Sequence, residues 1–178
     1  MSEISRSHVL QTILNRRSVR AFLPDPIPPE HLDQLIDVLR WAPSAGNRQP
    51  WHFYLVLNEK LKQGLVIAAH GQDFIAQAPA VFVICALPGK SASRYGSRGR
   101  DLYVYQDTAA AAENLMLTAV DLNYGSCWVG AFDEQAVTKA LDLPKSYRPV
   151  AIIPVGKPAE KPSPPSRAPV EDILTRLE

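Results

Sequence analysis

The longest helical segment spans residues 101–124 and carries four consecutive alanines, Ala109 to Ala112, at its heart. A helix that apolar and small-sided is a buried one, and its alanines permit close approach by another helix. Residues 80–87 are apolar throughout, which predicts a strand covered on both faces. Helices and strands alternate along the chain without clean βαβ repetition, so the fold class is α+β. At 178 residues there is room for one domain with a real core and not for two comfortable ones.

The remaining elements follow from periodicity and punctuation. Val9, Leu10, Ile13 and Leu14 recur at helical spacing, in a short helix that runs into Arg16. Four prolines between Pro24 and Pro29 make an extended connector, and Pro29 suits the first turn of a helix striped by Leu32, Leu35, Ile36 and Leu39. Residues 51–57 alternate as a strand. Asn58 is placed to cap a helix through Leu61, Leu65 and Val66, and Asp133 to cap one through Val137, Ala140 and Leu141. Residues 90–100 are rich in Gly, Ser and Arg and read as a mobile loop, and Gly125 reads as the stop of the long helix. Residues 126–129 form a short strand. Pro149 and Pro154 put the strand over residues 150–155 at a sheet edge or in an interrupted ladder.

Beyond Gly156, five prolines between Pro158 and Pro169 favour a stiff extended arm. A helical tail over residues 170–177 closes it, with Ile173, Leu174 and Leu177 apolar. Such a face has a use only if residues 157–178 dock, on their own domain or on a partner subunit.

Composition excludes several classes. A net charge of +1 argues against nucleic-acid binding, which needs many unpaired cations on one face. No apolar run reaches membrane-spanning length, and residues 1–15 lack the apolar core of a secretory segment, so a cytoplasmic protein is expected. Cys85 and Cys127 stand far apart, and with four scattered histidines they form no metal-binding spacing. Zinc-protease, serine-hydrolase, P-loop and dinucleotide glycine motifs are all absent.

What chemistry there is begins at Arg16-Arg17-Ser18-Val19-Arg20. Three arginines and a hydroxyl this close ask for an anion of more than one charge, and the planar guanidinium fork suits phosphate oxygens. Taken alone, such a run is more often a solvated basic loop. Two further segments raise its weight: Ala42-Pro43-Ser44-Ala45-Gly46-Asn47-Arg48-Gln49-Pro50-Trp51, and Gly125-Ser126-Cys127-Trp128-Val129-Gly130-Ala131-Phe132.

In this order and spacing the three segments, with a late Arg167, resemble the FMN-dependent nitroreductase family, as one of its short members, over nearly the whole chain. The resemblance implies a central, mostly antiparallel sheet flanked by helices, in an intertwined homodimer. It also implies FMN as cofactor and NADH or NADPH as co-substrate. Hydride would pass in ping-pong fashion to a small acceptor such as a nitroaromatic, a quinone or a flavin. Arg16, Arg17, Ser18 and Arg20 would hold the FMN phosphate and ribityl chain, with Arg20 toward the pyrimidine edge. Pro43, Ser44, Ala45 and Asn47 would reach the flavin from the second subunit. Gly130 and Ala131 would offer backbone N–H groups near flavin N5, and Arg167 would return to the phosphate. No protein acid, base or metal is required, because the cofactor carries the chemistry.

The chain departs from longer members in two places. It has Pro165-Ser166-Arg167 where they carry Lys-x-Arg, and Gln72 stands where they place a polar side chain at the flavin edge. Tyr95, Arg98, Arg100 and Tyr103 are candidates to line the acceptor pocket. Without the resemblance, Pro43-Ser44 is a helix stop, Gly130 a turn before Asp133, and Arg167 a solvated charge. A flavin-delivering protein without activity and a dehalogenase-like flavoenzyme of the same fold are the alternative functions.

Overall fold

The computed structural model describes residues 7–178. The expectation of no secretory segment lies outside the described residues where it concerns residues 1–6. The described helices are α1 (His8–Asn15), α2 (Pro29–Arg40), α3 (Glu59–Ala68), α4 (Phe74–Gln77), α5 (Pro88–Arg98), α6 (Val104–Asp121), α7 (Glu134–Leu141) and α8 (Val170–Ile173). The strands are β1 (Trp51–Val56), β2 (Ala80–Ala86), β3 (Gly125–Ser126) and β4 (Arg148–Gly156). A 3₁₀ turn covers Ala45–Asn47, and a π-helical turn, Gly99–Tyr103, leads into α6. No described helix is long and apolar enough to cross a membrane.

All four strands pair antiparallel in the order β1-β2-β4-β3. Every residue of β2 is buried, as its uninterrupted apolar run requires. Alternation sends Val81, Val83 and Cys85 to one face, where they join Leu65 of α3, Ile75 of α4 and Val137 of α7. Phe82 and Ile84 point the other way, into a cluster with Leu35 and Leu39 of α2 and Ala111 and Leu115 of α6. The small side chains of α6 are what let α2 and the sheet share that face. Asn58 Oδ1 accepts from Leu61 N–H at 3.1 Å, and Asp133 Oδ1 accepts from Gln135 and Ala136 N–H at 2.8 and 2.9 Å, so both capping residues act as read.

Four expectations need correction, and of the two readings of Pro149 and Pro154 the interrupted ladder is the one that holds. β4 is an interior strand, and its prolines sit where its ladders break. Its register against β2 slips between Ile84↔Ala151 and Cys85↔Pro149, while Pro154 falls between the Val129↔Ile152 bridge and the Ser126↔Val155 pair. The short strand read over residues 126–129 is therefore two pieces, β3 and the bridge at Val129.

Residues 90–100 are mostly helix rather than loop. Pro88 opens α5, Ser91 is fully buried, and Tyr95 meets Tyr103 edge-to-face at 5.3 Å, so packing overrides weak helix propensity. The long helix stops at Asn123, which takes the left-handed position with φ 63°, and not at Gly125. Finally, the C-terminal helix is one short turn, α8, whose Val170 and Ile173 are 63% and 71% exposed.

Gly125 has a different task. A side chain there would place its Cβ 2.7 Å from Val19 Cγ2, so the close approach of β3 to residues 18–19 needs glycine. Gly125→Ala should lower stability by about 1–3 kcal/mol through overpacking against a branched side chain that has no room to swing. Urea denaturation measures this, and an unchanged midpoint would contradict the close contact.

Candidate functional site

The arginine turn begins where α1 ends. Arg17 folds back on that helix, its Nη1 donating to Leu14 and Arg16 carbonyls at 2.7 and 2.8 Å, so this arginine caps the C-terminus. Ser18 bridges in parallel to Ser126, and Val19 N–H donates to Ser126 O at 3.0 Å. That pairing carries Arg16, Ser18 and Arg20 to the start of the 126–131 segment. Arg16 Nε is 3.9 Å from Glu113 Oε1, a loose exposed contact, and the Arg20 side chain has no acidic partner within 4.0 Å among the described residues. Behind the turn lies Cys127. Burial raises its thiol pKa, and Glu160 adds to this, against the lowering influence of Arg20, the Ser18 hydroxyl and Arg16.

The arm after β4 crosses this turn on its own chain. Leu23 N–H donates to Lys157 O and Ala159 N–H to Ala21 O, both at 2.9 Å, and Glu160 accepts from Arg20 N–H at 2.5 Å. A cavity of about 300 Å³ sits alongside, lined by Asn15, Arg17, Tyr124, Glu160 and Lys161 among others. Arg167, farther along, donates only to the carbonyl of Ser166 and does not reach the turn within its own chain.

At the far end of the 126–131 segment, Gly130 and Ala131 are exposed. Among the described residues, no protein acceptor takes their backbone N–H groups. Gln72 Nε2 donates to Ala69 O at 3.0 Å and Ala131 O at 3.2 Å, so Gln72 stands beside this pair.

The 43–49 turn is built from strained backbone. Gly46, Asn47 and Gln49 have φ of 55°, 52° and 49°, and two of these are not glycine. Ser44 Oγ accepts from Gln49 N–H at 2.9 Å, and Asn47 N–H donates to Ser44 O at 2.9 Å. Asp107, near the start of α6, accepts from Ala45 N–H at 3.0 Å. Its second oxygen is buried without a partner. Burial pushes this carboxyl above its usual range, against the lowering influence of Ala45 N–H. An acid just before the Ala109–Ala112 run, on the stretch of the helix that the alanines mark as buried, is the signal that marks Asp107 in the sequence.

One chain thus gathers Arg16, Ser18, Arg20, Gly130 and Ala131 along one segment, with Gln72 added. It does not bring Pro43, Ser44, Ala45 and Asn47 to them. Asp107, which holds the 43–49 turn, and Val120, which lines the cavity beside Arg17, are about 20 Å apart along α6 at 1.5 Å per residue. A second cavity of about 300 Å³ beside Asn47 is lined by Arg40, Trp41, Ala42 and Gln49. Among the described residues no group of His, Cys, Asp and Glu is placed to hold a metal ion.

The site is set in an α+β domain with an antiparallel sheet, whose edge strand β3 pairs with an arginine turn beside free backbone donors. The model of the Nitroreductase family matches residues 13–72 and 65–157, and the chain belongs to that family. It is 32% identical to an Archaeoglobus fulgidus protein provisionally named an NADH dehydrogenase/NAD(P)H nitroreductase, over 85% of this chain and 86% of that one. It is 27% identical to the Bacillus subtilis protein named FMN reductase [NAD(P)H], over 94% of this chain and 72% of the relative. A Parabacteroides distasonis crystal structure with the same provisional name as the archaeal protein superposes with a TM-score of 0.85 at 29% identity, covering 97% of this chain and all of the other.

Asp107 supplies a test of the turn. Its raised folded-state pKa means its contribution to stability is complete below the ordinary value of 3.8 and is lost as pH rises through the folded value. Asp107→Asn keeps an oxygen for Ala45 without a buried charge, so it should match wild type in acid and exceed it at neutral pH. Asp107→Ala leaves Ala45 N–H unpaired and should cost about 1–3 kcal/mol. Thermal denaturation of the three proteins across that range decides; an Asn variant weaker than wild type at neutral pH would refute the buried-charge account.

Proposed function

We propose that this chain is an FMN-dependent NAD(P)H oxidoreductase that works as a homodimer in the cytoplasm and passes electrons to a nitroaromatic, quinone, flavin or similar small acceptor. The observation that carries the reading is the single segment with Arg16, Ser18 and Arg20 at one end and the unclaimed N–H groups of Gly130 and Ala131 at the other. Arg20 without an acidic partner among the described residues, and Arg16 with only a 3.9 Å contact to Glu113, fit a phosphate, and free backbone donors fit the ring nitrogens of a flavin. Bound FMN would supply the hydride chemistry, accepting from the nicotinamide and donating to the acceptor.

The chain's own residues then have limited tasks. Arg16 and Arg20 neutralise and anchor the phosphate, and Ser18 adds a hydroxyl. Gly130 and Ala131 donate toward the ring edge without side-chain bulk, and Gln72 supports their turn through Ala131 O. Pro43, Ser44, Ala45 and Asn47 complete the pocket from the second copy, and the 157–178 arm, fastened to its own chain through residue 160, continues across that copy with Arg167 returning to the phosphate.

Dimerisation is supported by apolar surface that one chain leaves uncovered. On α1, Val9, Leu10, Ile13 and Leu14 are 42–65% exposed, and Ile173 and Leu174 of the arm are 71% and 54% exposed. The names of the relatives point to the same reaction class. Two free buried cysteines suit a reducing compartment.

The test is a visible spectrum of the protein with added FMN, followed by anaerobic NADH or NADPH. Bleaching with one FMN per subunit is expected; failure to retain flavin at about micromolar FMN would sink the proposal. Replacing Arg16 and Arg20 together by Ala should weaken FMN binding at least tenfold, at roughly 1.5–3 kcal/mol per lost charged hydrogen bond. Unchanged affinity would remove those side chains from the phosphate site.

A further inference from the structure

Helix α5 carries an excess of positive charge that no ion pair balances among the described residues. Lys90, Arg94, Arg98 and Arg100 are exposed along it and the following turn, and Arg48 lies opposite. Among the described residues none of these five has an acidic group within 4.0 Å. Asp101, exposed on the same stretch, makes no ion pair either. The whole chain carries only +1, so this is a local concentration of charge.

The two central arginines are held in place by tyrosines. Arg94 Cζ lies 5.6 Å from the Tyr95 ring, and Arg98 Cζ lies 5.2 Å from the Tyr103 ring with Nε donating to Tyr103 Oη at 2.8 Å. Stacking on a ring restrains a guanidinium plane while its N–H groups keep their capacity to donate, and both residues are exposed on either side of the kink at Gly96. A solvated helix face kept only for solubility has no need of that order.

The cluster is also fastened to the 43–49 turn. Arg48 Nη2 donates to Ser93 Oγ at 3.0 Å, and Lys90 Nζ donates to Gln49 O at 3.0 Å. Tyr95 Oη lies so close to Gly46 that a Cβ there would sit 2.3 Å away. The cations therefore border the wall that reaches the flavin in the proposed dimer.

We propose, resting on that reading, that α5 recognises a substrate carrying a dianionic group, which Arg94 and Arg98 bind while the rest of the molecule docks at the flavin. Two sources share this chemistry: the 2′-phosphate of NADPH, or an acceptor bearing phosphate or paired carboxylates. Focused positive potential raises the local concentration of either, and paired guanidinium forks select it over its uncharged analogue.

The test compares the FMN-loaded wild-type protein with a double variant, Arg94→Met and Arg98→Met, whose side chains still cover the tyrosine rings. One arm takes kcat/KM for NADPH over NADH with menadione as acceptor. The other takes 4-nitrophthalate over its dimethyl ester with NADH as donor. Without turnover, calorimetry reads the binding of 2′,5′-ADP and of 4-nitrophthalate. In at least one arm the charged-over-neutral preference should fall tenfold or more in the variant, with the matching loss in calorimetric affinity, and raised salt should erode the wild-type preference. Preferences and affinities equal within twofold in both arms would overturn the inference. If the protein takes up FMN but oxidises neither nicotinamide, the oxidoreductase reading fails, and the calorimetric comparison alone decides the role of α5.

Discussion

The burial of β2 on both faces organises the molecule. With β1 and β4 on its two sides, every side chain of β2 must find an apolar neighbour above or below the sheet. Helices α2 and α6 meet that need on one face, and α3, α4 and α7 on the other. Packing α6 this closely depends on its alanines, and its length then sets the separation between the 43–49 turn and the arginine turn. The sheet determines where the 126–131 segment leaves as well. β3 pairs with β4 for two residues, the ladder breaks at Pro154, and Val129 rejoins at Ile152. The backbone in that gap carries Cys127 inward against the arginine turn and releases Gly130 and Ala131 to the surface.

Features that cost stability gather at the walls of the proposed site. Asn47 and Gln49 both hold left-handed backbone, which asparagine tolerates and glutamine does not favour. Asp107 keeps a buried oxygen without a partner while it pins Ala45. The cations of α5 stand together without carboxylates. A core built only for stability would discard all three, and their concentration around two turns is what sets these surfaces apart from the well-satisfied sheet. By contrast, Lys62 is buried far from either turn with its Nζ satisfied by Ala78 O at 2.9 Å and Glu59 at 2.7 Å, and it acts as a clamp between α3 and the chain entering β2.

How far the sequence could be read follows from the range of each interaction. Asn58 and Asp133 are legible as caps because a cap is decided within three residues. β2 is legible because seven consecutive apolar residues leave no face for water. The 90–100 segment is not, since Ser91, Tyr95 and Gly99 become helical through contacts with one another and with Tyr103, and composition alone favours a loop. Pro149 and Pro154 leave an edge and an interrupted ladder both open, because a missing N–H is tolerated in either place, and only the neighbouring strands decide for the second. The arginine turn is legible in residue type as a cluster of cations, while the capping role of Arg17 depends on where α1 happens to end.

By itself the sequence determined the order of elements, the two-sided strand, the buried alanine helix and the three segments that mark a nitroreductase, because these depend on side-chain type and near neighbours. Only the tertiary structure decided that Ser18 pairs with Ser126, that Asp107 holds Ala45, and that one chain keeps the 43–47 turn apart from the arginine turn. It alone fastened the cations of α5 beside that turn. Each of these contacts joins residues far apart along the chain, and their meeting is set by how the helices stack on the sheet, which no local pattern encodes.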